Sequence, residues 1–128
     1  MTYYHAKTLT ASFDDALRRT TEALKQEGFG IITDIDVKDT FKKKIDVDFR
    51  RYRILGACNP MLAHEALQIE DKVGTMLPCN VVVQDVGGGK TEVAAIDPVA
   101  SMQAIDNERL KVAAEQVRMK LHRAIDSL

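Results

Sequence analysis

The residues of this chain best suited to chemistry are its two cysteines, each followed by asparagine: Cys58-Asn59-Pro60 and Pro78-Cys79-Asn80. A thiol that can ionise exchanges with disulfides, ligates soft metals or adds to electrophiles. One strand-like run ends at Cys58 and another begins near Cys79, with a helical run between. If those strands are antiparallel neighbours, both thiols sit at one end of a sheet, with the Asn59 and Asn80 amides close by. Four readings are open. The thiols form a reversible dithiol pair, which requires Cα atoms within about 7 Å. They bind a soft metal with His64 or another ligand, although the C-x20-C spacing lacks the close ligand pairs of zinc motifs. They line a small-molecule pocket. Or they are small buried apolar side chains, a common fate of free cysteine.

The surrounding elements decide whether the thiols meet. Residues 2–9 read as a first strand. Ser12 is a helix cap, with Asp15 three residues on, and Phe13, Ala16, Leu17, Thr20 and Leu24 share a helical face. Asp14 with Arg18 and Asp15 with Arg19 have ion-pair spacing on that helix, which Gly28 should end. Residues 29–38 alternate as a strand, with Ile31, Thr33, Ile35 and Val37 on one face. Residues 39–45 suggest a single helical turn. In the strand 49–58, Arg51 and Arg53 mark Leu55 and Ala57 as outward, which turns Tyr52, Ile54, Gly56 and Cys58 inward.

Asn59 then caps a helix with Pro60 in its first turn and Leu62, Ala63, Ala66 and Leu67 on its buried side; Gly74 ends the excursion. Residues 77–86 form a strand with Cys79, Val81 and Val83 on one face. Gly87-Gly88-Gly89 turns it into a hairpin with residues 90–96. Asp97-Pro98 breaks that strand, and Asn107 caps a long helix striped by Leu110, Ala113, Ala114, Val117, Leu121, Ala124, Ile125 and Leu128. Asp36 and Asp97 stand at strand ends within reach of a rim pocket. The order implies an α+β fold, β-α-β-β-(α)-β-β-α, with one twisted, mostly antiparallel sheet and helices on one face.

Composition narrows the function. The 128 residues predict one domain, 1–128, and carry 18 Lys+Arg against 19 Asp+Glu. That balance offers no general attraction to nucleic acid. No apolar run approaches a membrane span, and the N-terminus has no signal-peptide pattern, so a cytoplasmic protein with reduced thiols is expected. Gly87-Gly88-Gly89-Lys90-Thr91 is not a phosphate loop, because Gln84 stands at the first glycine position and a strand follows. No catalytic triad, paired glycosidase carboxylates or H-E-x-x-H is found, and no cofactor or resident metal is called for.

Gly56-x-Cys58-Asn59-Pro60, then Ala63 and Ala66-Leu67, then Leu77-Pro78-Cys79-Asn80-Val81-Val82-Val83, and finally Ile96-Asp97-Pro98 together resemble the bacterial and archaeal domain-of-unknown-function family 302. The resemblance spans nearly the whole chain. It implies a fold similar to one half of the TATA-box-binding protein and brings no settled activity. Its motif positions here are Cys58, Asn59, Pro60, Pro78, Cys79, Asn80, Asp97 and Pro98. The expectation is a small-molecule-binding or thiol-redox domain with Cys58, Asn59, Pro60, Cys79, Asn80 and Asp97 at the site. The alternative is a homodimeric interaction module without chemistry of its own.

Overall fold

A computed structural model describes residues 2–128. Its frame is a five-stranded antiparallel sheet in the order β1-β5-β4-β3-β2. The strands are β1 (Tyr4–Leu9), β2 (Gly30–Asp36), β3 (Tyr52–Cys58), β4 (Cys79–Gly87) and β5 (Lys90–Ile96). The helices are α1 (Phe13–Gln26), α2 (Val37–Ile45), α3 (Pro60–Ile69), the short α4 (Pro98–Ser101) and α5 (Glu108–Asp126). A 3-10 turn, Asp71–Met76, follows α3. The fold class and element order are those read from the sequence.

Capping residues set most helix starts. The side chains of Ser12, Asn59 and Asn107 accept hydrogen bonds from the first-turn amides of α1, α3 and α5. Gly28, at a φ of +86°, takes the left-handed turn that leads from α1 into β2. The glycine turn closes the β4–β5 hairpin, with Gly87, Gly88 and Gly89 all at positive φ. Asp36 caps α2, which therefore begins at Val37 and runs nine residues in place of the expected single turn. Of the two anticipated pairs in α1, Asp15–Arg19 forms at 3.8 Å, whereas Asp14 reaches across to Arg51.

Two apolar clusters hold the layers together. The larger joins α1 and the C-terminal half of α5 to the sheet, burying Leu24, Leu55, Val81, Val83, Val93, Leu121 and Ile125 completely or nearly so. The smaller joins α3, the 3-10 turn and α4 to the N-terminal half of α5 through Ala66, Val73, Met102, Leu110 and Ala114. Helix α5 is shared by both.

The facing of β3 is the reverse of that read from its arginines. Leu55 and Ala57 are core residues, 2% and 1% exposed, and pair directly with Val81 and Cys79. Arg51 and Arg53 are on the margin of the helical layer. There Arg51 lies over the Phe13 ring and bonds Asp14, and Arg53 grips both oxygens of Asp34. Partnered arginines with apolar stems tolerate such a margin, so they did not mark the solvent face. In β2, a register shift between Ile31 and Thr33 breaks the expected alternation. Ile31 pairs with the core residue Ala57, while Ile35 pairs with Ile54 on the open face.

Candidate functional site

The seam between the two clusters is not filled. A cavity of about 340 Å³ lies at the Cys58–Cys79 end of the sheet, under α3 and against α5. Ala57 and Cys79 form its floor, Leu62, Ala63 and Ala66 one wall, and Leu110, Ala113 and Val117 the other. The reason is side-chain size. Facing turns of α3 and α5 carry Ala63 and Ala66 against Ala113 and Ala114, and small residues on both sides leave volume that close packing would otherwise take up.

Antiparallel pairing of β3 with β4 does bring Cys58 and Cys79 to the same end of the sheet, and both border the cavity. It does not make them a pair. Both thiols are free, and the residue opposite Cys79 is Ala57. Cys58, one residue on, starts from the other side of the pleat and is half-buried where the chain turns into α3. Cys79 is buried, and burial, with a smaller push from Cys58, raises its thiol to about 11. It stays protonated at neutral pH and is a poor nucleophile.

The remaining site candidates separate. Asn59 borders the cavity, and its Oδ1 accepts from the Leu62 amide at 3.4 Å. Pro60 opens α3 and thereby fixes the wall. Asn80 is exposed and pairs with Gly56, away from the cavity and from Asn59's cap. Asp97 is 5% exposed, accepts from the Val99 and Ala100 amides, and lies 3.3 Å from Arg118 Nε. None of Pro60, Asn80 and Asp97 lines the cavity. His64 is exposed on α3, and no group of three or more potential metal ligands gathers among the described residues.

Pro78 also borders the cavity, and Gly56 makes room for it. A Cβ on Gly56 would stand 2.7 Å from Pro78 Cγ and 2.0 Å from Thr33 Oγ1. The motif residues Gly56 and Pro78 are thus coupled by contact.

Sequence reasoning missed Phe29, Ile32, Ala113 and Val117 as cavity-lining residues. The alanines were visible as helix stripes, and their smallness on both facing stripes was the available signal.

A second group of polar residues lies at the other end of α5. The His5 and His122 rings stack with centroids 4.0 Å apart, and His5 Nε2 is 2.7 Å from Asp126 Oδ1. Burial, then the neighbouring His5 and Arg118, holds His122 below its ordinary value.

Residues 5–128 match the family model described as "Domain of unknown function DUF302". The chain belongs to this family. It is also similar to the "crystal structure of uncharacterized conserved protein DUF302 from Bacillus stearothermophilus", with 28% identity, a TM-score of 0.90 and 98% of each chain covered. No curated protein matches it. Neither finding bears on the likeness to half of the TATA-box-binding protein. No helix among the described residues is long and apolar enough to cross a membrane.

Proposed function

We propose that this DUF302 domain binds a small apolar molecule in the seam cavity. The observation that carries the reading is an unfilled space of about 340 Å³ walled almost wholly by hydrocarbon and thiol. That volume falls within the usual range of about 300–1,000 Å³ for small-molecule sites. The ligand chemistry that fits is neutral and hydrocarbon-rich, because no cation, carboxylate or histidine lines the space. Cys58 and Asn59 supply the polar atoms at the edge, Cys79 the polarisable floor, and Pro60 the fixed start of the α3 wall. The proposal is one of binding, with no reaction attached. A dithiol exchange has less support, since a Cys79 thiol raised to about 11 disfavours the thiolate that exchange requires.

The test uses the neutral dye N-phenylnaphthylamine. Its emission should rise to saturation with one site per chain, and Ala63→Phe, which puts a ring into the cavity from a half-buried wall position, should abolish the rise. A dye response that is unsaturable, or equal in both proteins, would remove the cavity as a binding site.

A further inference from the structure

The sheet face turned away from α1 and α5 carries an apolar row that crosses every strand. Cross-strand pairing links Ala6 to Ala94, Ala94 to Val82, Val82 to Ile54 and Ile54 to Ile35. No charged side chain interrupts it, Ile35 is 49% exposed, and the other four are half-buried. The next row runs Glu92, Gln84, Tyr52 in register, and Arg50 joins it through its Nε bond to Gln84 Oε1. Gln84 in turn donates to Glu92.

We infer that a second copy of this chain covers this face, related by a two-fold axis parallel to β4. This rests on the sheet's register and is independent of the seam cavity. The strand order places β4 at the centre, with β5 and β1 on one side and β3 and β2 on the other. Rotation about an axis along β4 exchanges those sides. Val82 meets Val82. The small side chains Ala94 and Ala6 meet the large ones, Ile54 and Ile35, so each copy supplies relief that the other fills. In the polar row Gln84 meets Gln84, and Glu92 on β5 comes opposite the β3 side, where Arg50 lies over the Phe49 and Tyr52 rings. Opposite charges therefore face each other twice. An axis along the apolar row instead would set alanine on alanine and leave a gap at one edge.

The face is bounded by Pro78 beside Gly56 and, on the β2–β3 side, by Val37, Thr40 and Phe41 of α2, which border a hollow with Ile35, Tyr52 and Ile54. Charge depletion at the centre with a polar margin is the composition such interfaces show. Aligned sheet-on-sheet packing is the geometry that an axis along β4 produces.

Sedimentation velocity at micromolar concentration, with circular dichroism to confirm folding, decides the matter. The wild-type chain should sediment as a dimer and Val82→Glu as a folded monomer. Glu92→Arg and Arg50→Glu should each weaken the dimer roughly tenfold. The double reversal should restore it, because the two charges swap across the axis. A monomeric wild type, a dimer indifferent to Val82→Glu, or a double variant weaker than both singles would overturn the inference. Cosedimentation of a monomeric wild type with phosphatidylcholine vesicles would assign the face to a lipid surface instead.

Discussion

Helix α5 belongs to two differently built regions. Its C-terminal half, through Leu121, Ala124 and Ile125, is packed against the sheet and α1 in a cluster of fifteen buried residues. Its N-terminal half, through Leu110 and Ala114, holds a cluster of only five, together with α3, the 3-10 turn and α4. In the first region Leu121 is 0% exposed and Ala124 and Ile125 are 1% exposed. The second is rich in alanine and borders a cavity of about 340 Å³. The difference teaches where stability and adaptability are divided along one helix. Sheet, α1 and the end of α5 fix the fold, and the α3 flank leaves room for an occupant.

The largest effect that separates the regions is a paired truncation. Leu121 and Leu110 are 0% and 1% exposed, so their transfer terms are alike. Leu121→Ala should cost about 4 kcal/mol, because closely packed neighbours cannot collapse into the void. Leu110→Ala should cost about 2 kcal/mol, since that side chain already borders empty space and its neighbours can relax. Chemical denaturation of both variants checks this, and equal or reversed costs would erase the distinction.

Next in size is the contrast between the thiols at the seam. Iodoacetamide at neutral pH should alkylate Cys58, at the half-buried strand end, long before Cys79, whose thiol burial holds near 11. Peptide mass spectrometry gives the ratio. Comparable labelling of both would mean that Cys79, though buried, is reached through the seam's mouth beside the exposed Ile32 and Leu67.

The smallest effect belongs to the tightly packed region. The His5–His122 stack fastens β1 to the last turns of α5. His122 is held below its ordinary 6.5, first by burial and then by His5 and Arg118; Asp97 and Asp126 oppose that shift. The folded state thus favours the neutral ring. Its contribution is intact above about pH 6.5 and is lost as pH falls through the lower folded value. Melting temperature should therefore decline modestly from neutral pH to about pH 5, and less so in His122→Asn. An identical slope in the variant would show that another group governs the decline.

The sequence revealed these regions unevenly. Caps at Ser12, Asn59 and Asn107, the triple-glycine turn and the α5 stripe are local signals, and local hydrogen bonds satisfied them as expected. The facing of β3 was misread because Arg51 and Arg53 are neutralised by Asp14 and Asp34, which are distant in sequence. The bulge in β2 hid for a similar reason, since only pairing with β3 exposes the extra residue. With β3 reversed, the outward-read Leu55 and Ala57 belong to the core, and Ile54 joins Val82 on the open face. The cysteine motifs did mark the end of the sheet that borders the cavity. That the stripes of α3 and α5 fail to close over it depends on how two helices approach, which no single stripe encodes.

Occupancy of the seam is the most direct consequence of its unfilled volume. A methyl-resolved NMR titration with decanol should give saturable shifts at Leu62, Ala66, Leu110 and Val117, while Leu24, Val93 and Ile125 in the main cluster stay unmoved. Shifts that never saturate, or that spread over the sheet and α1 as strongly as over the α3 flank, would contradict it.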